Sequence, residues 1–406
     1  MEPILYLVHR IPFPPNKGDK VRSFNLLKFL ASRYSVHLGT FVDDPSDHVH
    51  VARVQEYCAT LMVAEIRPTL ARVRSLAGFW TGEALTVPYY RDASLDKWVR
   101  DVVRGQGIRK AVVFSSAMAQ YVSAIDGLHV VVDFVDVDSA KWNQLGHARR
   151  WPLSAVFGRE GERLLAFERS IAQRADACVF VTAAEAELFR RLAPECAARV
   201  CHAPNGVDTE FFSPQPDLAN PFGTDEEAIV FTGAMDYWPN IDAVTWFAQE
   251  SLPAIVAERP RARFYVVGMA PSAAVQALAR DPHIVVTGRV PDVRPYLQHA
   301  RVVVAPLRVA RGIQNKALEA MAMARPVVIT AAAAGALSAV PGKDVEVAGS
   351  AIEIAQKTLA MMDPSRGNPV GAAARARVLS DYDWTTNLAP FDALLRAPNV
   401  AQLGNG

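Results

Sequence analysis

The sequence alternates short apolar runs, rich in β-branched residues, with longer amphipathic stretches. Such continuous apolar runs are typical of strands buried on both faces of a sheet, and the stretches between them have the period of helices. Strands that alternate with helices form parallel sheets, so the pattern predicts a doubly wound α/β fold. We predict strands at 4–8, 36–41, 111–114, 130–134, 177–181, 228–232, 263–267, 283–287, 302–306 and 327–330.

The predicted strands form two groups, which indicates two domains. A chain of 406 residues has the length for two domains of ordinary size. Between the groups, residues 203–208 contain Pro204 and Gly206, show neither period, and favour a turn or linker. We therefore place the domains at 1–203 and 204–382, and predict a final helix over 383–396 from its apolar spacing.

Charge and cysteine content exclude several classes of protein. Lys and Arg number 43 against 42 Asp and Glu, and a net charge of +1 argues against wholesale binding of nucleic acid. The four cysteines form no Cys-x2-Cys pair, and the nine histidines complete no zinc site. We recognise neither a signal peptide nor a membrane-spanning run. These features predict a cytoplasmic protein with no metal site.

Both domains open with a strand that leads through a glycine loop into a helix. The first loop contains Lys17 and Gly18, and the second runs from Gly233 to Asn240. This layout places backbone N–H groups and a helix dipole in front of a phosphate. Neither loop has a dinucleotide fingerprint or a P-loop sequence, and many such turns use glycine for steric reasons alone.

The predicted helix over 313–324 is the most informative segment. It follows a basic loop that contains Gly312, and its small apolar residues share one side. The free amides of 312–315 can bind an anion, Lys316 can bind a second phosphate, and Glu319 can accept from sugar hydroxyls. The alternative is an intrahelical ion pair between Lys316 and Glu319 on a solvated face.

Several segments resemble a known family. The helix 315–322 resembles the donor-binding helix of family-four GT-B retaining glycosyltransferases, and the segments 204–212, 266–268 and 287–293 are similar to the same family. Residues 133–142 and 311–316 resemble more closely the sugar transferases associated with PEP-CTERM and exopolysaccharide gene clusters. The resemblance extends over essentially the whole chain.

The resemblance implies two Rossmann-like domains that face a cleft, with the final helix crossing back to the first. The first domain would bind the acceptor, and the second would hold a nucleotide-diphosphate sugar. The family retains anomeric configuration and uses neither a cofactor nor an essential metal, so cationic side chains and helix amides must stabilise the leaving diphosphate. The expected reaction is transfer of a sugar to a polysaccharide or lipid-linked acceptor in exopolysaccharide biosynthesis.

The resemblance also assigns site residues. The residues expected to take part in catalysis are Lys316, Glu319, Arg311 and Asp138. The residues expected to bind the donor are Lys17, Gly18, Gly233, Asn240, Gly268, Arg289, Val290, Arg308, Gly312, Ile313, Gln314 and Asn315. The base is expected near Gly268 and Arg289-Val290, and the ribose near Glu319.

The chain departs from the family pattern at two places. Arg311 occupies a position where the family often has a Glu, and the segment after Gly233 lacks the Lys that the family often has there. Arg308 and Arg311 are candidates to supply the missing positive charge.

Carboxylates follow one strand of the first domain. Asp133, Asp136 and Asp138 lie where ligands of open α/β sheets bind, and one of them is a candidate to orient an acceptor hydroxyl. Capping of the next helix explains each of them equally well.

Two rival functions stay open at this point. A non-hydrolysing nucleotide-sugar epimerase shares the fold, but needs several titratable groups for proton transfer. A catalytically silent nucleotide-sugar-binding partner of a polysaccharide assembly complex would bind donor without turnover. A dehydrogenase is disfavoured because the dinucleotide fingerprint is missing.

Two basic, aromatic stretches in the first domain suggest a further partner. Residues 67–91 and 149–157 interleave Arg with Leu, Phe, Trp and Tyr. That composition suits an anionic interface, so we predict peripheral contact with the inner face of the membrane. Core aromatics with solvated arginines would give the same pattern.

Overall fold

A computed structural model describes residues 1–15, 18–147, 150–310, 313–335 and 337–397. The chain forms two compact units, the first made of residues 1–204 with those from 388 onward and the second of residues 205–387. Each unit is built on a parallel β-sheet with helices between successive strands. The predicted fold class of two Rossmann-like, doubly wound sheets is confirmed.

The first unit contains a seven-stranded sheet in the order β3-β2-β1-β4-β5-β6-β7. Its strands are Pro3–Val8 (β1), Ser35–Val42 (β2), Thr60–Glu65 (β3), Lys110–Phe114 (β4), His129–Val135 (β5), Ala177–Phe180 (β6) and Val200–His202 (β7). Its helices are Gly18–Ala31 (α1), Val51–Gln55 (α2), Pro68–Ser75 (α3), Gly78–Thr81 (α4), Thr86–Tyr89 (α5), Ala93–Gln106 (α6), Asp138–His147 (α7), Leu153–Arg174 (α8) and Ala183–Leu192 (α9).

The second unit contains a six-stranded sheet in the order β10-β9-β8-β11-β12-β13. Its strands are Glu227–Thr232 (β8), Ala262–Val267 (β9), Ile284–Gly288 (β10), Val302–Ala305 (β11), Val327–Thr330 (β12) and Glu346–Ala348 (β13). Its helices are Trp238–Trp246 (α10), Leu252–Glu258 (α11), Ala273–Leu278 (α12), Arg294–His299 (α13), Asn315–Ala322 (α14), Ala331–Ala334 (α15), Ala351–Met362 (α16) and Pro364–Asp381 (α17).

Continuous apolar strands form the core of both units, as their composition predicts. Ile4 to Val8 are fully buried, and so are Ile229 to Phe231 and Val302 to Ala305. Strands buried on both faces need helices above and below the sheet, which explains why apolar runs and amphipathic stretches alternate. Because the strands of each sheet are parallel, their carboxyl ends and the loops that follow them lie at the same edge of the sheet.

The last helix, Trp384–Arg396 (α18), returns the chain to the first unit. From residue 388 onward it belongs to that unit, and Leu388, Phe391 and Leu395 are buried. Tyr34 donates a hydrogen bond to Asp392, and His129 Nε2 lies 2.9 Å from the carbonyl oxygen of Leu394. Arg22 of α1 lies 5.9 Å from the centre of the Phe391 ring, so the apolar spacing of this segment reflects packing against α1 and β5.

Three strands were not predicted from the sequence, namely β3, β7 and β13. All three lie at edges of their sheets, β7 and β13 are three residues long, and most residues of β3 are only partly buried. A short or half-exposed edge strand lacks the continuous apolar run that marks a central one.

Candidate functional site

The second unit brings the predicted donor-binding residues to the carboxyl edge of its sheet. Strand order reverses direction between β8 and β11, because β9 and β10 follow on one side of β8 and β11 to β13 on the other. Open α/β sheets bind ligands at such a reversal. The loop after β8 contains Gly233, and the loop after β11 leads to α14.

Two glycines allow the loops after β8 and β9 to meet. Gly233 has φ +156° and Gly268 has φ +154°, conformations that side chains disfavour. A Cβ on Gly268 would lie 1.7 Å from the carbonyl oxygen of Gly233, so only glycine fits there. The Gly233 amide donates to the Val267 carbonyl across 3.0 Å. Close backbone contact therefore explains Gly268, without any need for a ligand.

Asn240 connects this glycine loop to α14. The side chain of Asn240 is buried in α10, and its Nδ2 donates to the carbonyl oxygen of Ala234 at 2.8 Å. Its Oδ1 accepts from Lys316 Nζ at 2.5 Å. The same ammonium lies 4.5 Å from the centre of the Phe231 ring. A Cβ on Gly233 would come within 3.3 Å of Lys316 Nζ, so the lysine lies directly beside the loop.

Lys316 and Glu319 do not form the ion pair that was the alternative interpretation. Within the described residues, Lys316 donates to Asn240 and makes no ion pair with Glu319, whose carboxylate has no hydrogen-bond partner. Burial lowers the pKa of Lys316 to about 7, against the nearby Glu319, which raises it. Burial likewise raises the pKa of Glu319 to about 7, while Lys316 lowers it. Among the described residues, a cation and a carboxylate that do not pair with each other thus lie on the same helix.

The start of α14 is suited to an anion. Its N-cap residue, Gln314, makes no side-chain cap hydrogen bond. Within the described residues, the amide of Ala317 is the first of this helix to donate to a backbone carbonyl, that of Gln314. Asn315 accepts a hydrogen bond from Asn205 at 3.2 Å, and Ile313 packs against the core. The first amides of α14 and Lys316 therefore lie at the same end of the helix, where an anion is favoured.

The other predicted donor-binding residues of this unit are not in the group around Lys316 and Gly233. Arg308 donates to both carboxylate oxygens of Asp242, so this aspartate balances its positive charge. Arg289 is exposed and Val290 half-buried after β10, which is two strands from β8. Arg311 and Gly312 lie outside the described residues. The structure therefore groups Gly233, Asn240, Gly268 and Lys316 closely, with Arg308 paired and Arg289 further along the edge.

In the first unit, Gly18 begins α1 and is exposed, and Lys17 lies outside the described residues. Asp138 begins α7 and pairs with Lys141 at 3.0 Å. Lys141 also pairs with Asp136 at 2.8 Å, and the two carboxylates raise the pKa of this lysine. Asp138 is thus part of a local ion-pair cluster, which agrees with the helix-start interpretation as well as with a site.

Asp133 has a structural partner. It is fully buried and accepts from Arg22 at 2.7 and 3.2 Å, and Arg22 also donates to the Ala203 carbonyl. The Arg22–Asp133 pair connects α1 to β5. The bond from Arg22 to Ala203 connects α1 to the end of the segment 1–204. Full burial and the pair with Arg22 favour a structural role for Asp133 over the orientation of an acceptor hydroxyl, which stays a hypothesis.

Sequence reasoning missed three partners in these clusters. Phe231 lies under the Lys316 ammonium, Asp242 binds Arg308, and Arg22 binds Asp133. Phe231 belongs to a buried strand and Arg22 to a helix that reads as amphipathic. Asp242 is the one of the three whose charge could have suggested a partner for Arg308. The Arg308 guanidinium also lies over the ring of Trp246, four residues after Asp242.

No group of three or more His, Cys, Asp or Glu side chains is placed to hold a metal ion in the part of the chain that the structure describes. Metal independence of the reaction stays a prediction.

Most of the second unit matches a known protein family. Residues 226–363 match the family model of glycosyl transferases, group 1. The matched segment contains β8 to β13 with Gly233, Asn240, Gly268, Lys316 and Glu319. No protein of curated function matches the sequence.

Solved structures of glycosyltransferases share the fold over nearly the whole chain. Sucrose-phosphate synthase from Thermosynechococcus elongatus is 18% identical, covers 98% of both chains and gives a TM-score of 0.73. HepE of Anabaena in complex with UDP-glucose is 15% identical with a TM-score of 0.68, covering 97% of this chain and 99% of its own. WaaG, a glycosyltransferase involved in lipopolysaccharide biosynthesis, is 15% identical with a TM-score of 0.67, covering 97% of this chain and 100% of its own. The fold is therefore GT-B.

Proposed function

We propose that this protein is a retaining glycosyltransferase that moves a sugar from a nucleotide-diphosphate sugar to a polysaccharide or lipid-linked acceptor. The observation that carries the proposal is Lys316 beside Gly233, held by Asn240 at the reversal of strand order. It lies at a helix start whose N-cap residue makes no side-chain cap hydrogen bond, one turn before Glu319. The group 1 domain match over the same residues supports it.

The chemistry follows from charge. A leaving diphosphate gains negative charge as the sugar departs, and preorganised cations and amides stabilise that charge without reorganising. Lys316 and the first amides of α14 are such groups. Glu319, one helical turn further on, would accept hydrogen bonds from ribose hydroxyls.

The donor base is proposed to be uracil, because HepE was solved with UDP and with UDP-glucose. Retention of configuration, independence of metal ions and a role in exopolysaccharide biosynthesis are proposed on the sequence resemblance. With a lipid-linked acceptor, the reaction would take place at the cytoplasmic face of the inner membrane. No helix among the described residues is long and apolar enough to span a bilayer.

The test is a panel of nucleotide sugars and nucleotide diphosphates, scored first by thermal stabilisation. A ligand at about 100 times its Kd stabilises the folded state by about 2.7 kcal/mol, which a melting curve resolves. The best donor is then followed for slow hydrolysis, with NMR of the released sugar to read its anomeric configuration. A chelator should leave the rate unchanged.

The outcomes separate the alternatives. Release of the sugar with retained configuration supports the transferase, and conversion of the nucleotide sugar to its epimer without release of sugar supports the non-hydrolysing epimerase. Stabilisation by a nucleotide sugar without hydrolysis, epimerisation or transfer to any acceptor supports a silent binding protein. No stabilisation by any nucleotide sugar would contradict all three.

A further inference from the structure

The first unit exposes a patch of large apolar side chains. Trp80 is 86% exposed and Trp151 is 82% exposed. Of the nine large apolar side chains that are exposed in the described part of this unit, seven lie in two segments, residues 70–80 and 151–153. They are Leu70, Val73, Leu76, Phe79, Trp80, Trp151 and Leu153. We call these seven residues the apolar patch.

The helical run from α3 to α4 turns its large apolar side chains outward. Backbone hydrogen bonds continue through the junction, from Ala77 to Arg74 and from Trp80 to Ala77. The residues buried under the run are the small ones, Ala71, Ser75 and Gly78. At 100° per residue these three lie opposite the exposed apolar face. A helix that only packed on its own domain would have the reverse arrangement.

Arginines border this face. Arg67 and Arg74 lie on one side of the exposed apolar stripe, Arg72 lies near its other edge between Phe79 and Leu76, and all three are exposed. The residues from 67 to 82 and from 150 to 159 contain five arginines and no exposed acidic side chain, since they contain no Asp or Glu. The charge around the apolar patch is therefore positive.

The two segments are neighbours in the fold. Arg159 of α8 donates to the Gly78 carbonyl at 2.5 Å, and its guanidinium lies 4.8 Å from the centre of the Phe79 ring. Leu153 precedes Arg159 by six residues on the same helix, about 9 Å along the axis. Glu160, the next residue, accepts from the amides of Leu85 and Thr86 and fixes α8 to α5.

We propose that the apolar patch is a docking surface for an anionic lipid bilayer. Trp and Leu side chains would enter the boundary between headgroups and acyl chains, while the bordering arginines would bind lipid phosphates. Tryptophan is enriched at this depth of a bilayer because its ring is amphipathic. The role of the apolar patch in bringing the enzyme to a lipid-linked acceptor rests on the proposed function. Binding to lipid is measured independently of sugar transfer.

The test is cosedimentation of the full chain with vesicles of phosphatidylcholine containing one third phosphatidylglycerol, and with pure phosphatidylcholine. The wild type should bind the anionic vesicles at low salt, and less at high salt. Trp80→Ser with Trp151→Ser should lower the partition constant about tenfold or more. Arg67→Gln and Arg72→Gln should each lower it about fivefold, the value of one basic residue near an anionic surface.

Matched control variants remove exposed apolar side chains from the second unit. Ile352 and Leu379 are exposed apolar residues of the second unit, so Ile352→Ser with Leu379→Ser should leave vesicle binding unchanged. Melting temperature and nucleotide-sugar binding of all variants should match the wild type, because the substituted side chains are exposed.

Three results would overturn the proposal. The first is equal recovery of wild type in the supernatant with and without anionic vesicles at low salt. The second is equal loss of binding in the patch and control variants. The third is concentration-dependent self-association without vesicle binding that disappears in the tryptophan variant, which would make the patch an interface between copies. Donor binding and hydrolysis are unaffected by these results, so failure here leaves the proposed reaction standing.

Discussion

Lys316 Nζ donates a hydrogen bond of 2.5 Å to Asn240 Oδ1, joining two helices that begin at the same edge of the sheet. Asn240 also donates to the backbone of the loop that contains Gly233, at Ala234. One amide therefore fixes the position of the ammonium relative to the glycine loop. This arrangement holds a cation in place before a diphosphate arrives, which is the condition for electrostatic stabilisation of a transition state.

Replacement of Lys316 by alanine should lower turnover about 100-fold or more, the scale of removing one preorganised charge-stabilising group. Donor affinity should fall much less, because charge on the diphosphate grows as the bond to the sugar breaks. Steady-state turnover and donor Kd measure the two effects. Lys343→Ala, at an exposed lysine of the same unit, is the matched control. Normal turnover in Lys316→Ala would remove α14 from the proposed site.

Asn240→Ala should lower turnover by about tenfold, since the ammonium remains but loses its orienting partner. The double variant Asn240→Ala with Lys316→Ala should be no slower than Lys316→Ala alone, because both changes act on one group. Loss of the bond to Ala234 should also destabilise the fold by about 1–3 kcal/mol. Additive losses of turnover in the double variant would show that Asn240 acts independently of the lysine.

Glu319→Gln should weaken donor binding with little effect on turnover at saturating donor. The neutral amide keeps the shape of the side chain but accepts hydrogen bonds less strongly, and the loss should be about 1–3 kcal/mol for a charged hydrogen bond. Isothermal calorimetry with the nucleotide sugar measures it. A deoxyribose form of the donor should lose affinity for the wild type but not for Glu319→Gln, whereas an unrelated structural defect would weaken both donors equally.

Donor affinity should decrease as pH rises through 7. Burial lowers the pKa of Lys316 to about 7, so the amine is charged before binding below that pH and must take up a proton on binding above it. The required proton costs affinity by up to about tenfold per pH unit. A nucleotide-diphosphate sugar is the ligand to use, because a free terminal phosphate titrates in the same range. Glu319 titrates there too, so the dependence is measured in Glu319→Gln, and adding Lys316→Ala to that variant should abolish it.

The core and the sheet class followed from the sequence because burial on both faces produces continuous apolar runs. The apolar runs Ile4–Val8 and Val302–Ala305 have the composition of strands buried on both faces. The edge strands β3, β7 and β13 lacked that signal, since an edge strand is short or half-exposed. Composition therefore predicted the centre of each sheet and missed its borders.

The site was predicted only where one helix presents two functional groups. Lys316 and Glu319 are three residues apart, so helical geometry alone places them near each other. Contacts across the chain have no such rule, and the partners Asn240, 76 residues away, and Arg22, 111 residues from Asp133, required the structure. The same limit explains why Asp133 was read as a candidate for acceptor binding.

Asp133→Asn should destabilise the first unit by about 3–5 kcal/mol, because it leaves the buried charge of Arg22 without its counter-charge. Both side chains of this pair are fully buried, and the guanidinium also donates to the Ala203 carbonyl and lies 5.9 Å from the centre of the Phe391 ring of α18. Glu56→Gln breaks an ion pair with Arg53 in which both side chains are more than half exposed, and should cost less than about 1 kcal/mol. Chemical denaturation of the two variants measures the difference. Donor binding to natively folded Asp133→Asn should stay normal, since Lys316 and Asn240 belong to the other unit. If Asp133 instead bound an acceptor, Asp133→Asn would keep its stability and lose transfer while retaining donor hydrolysis.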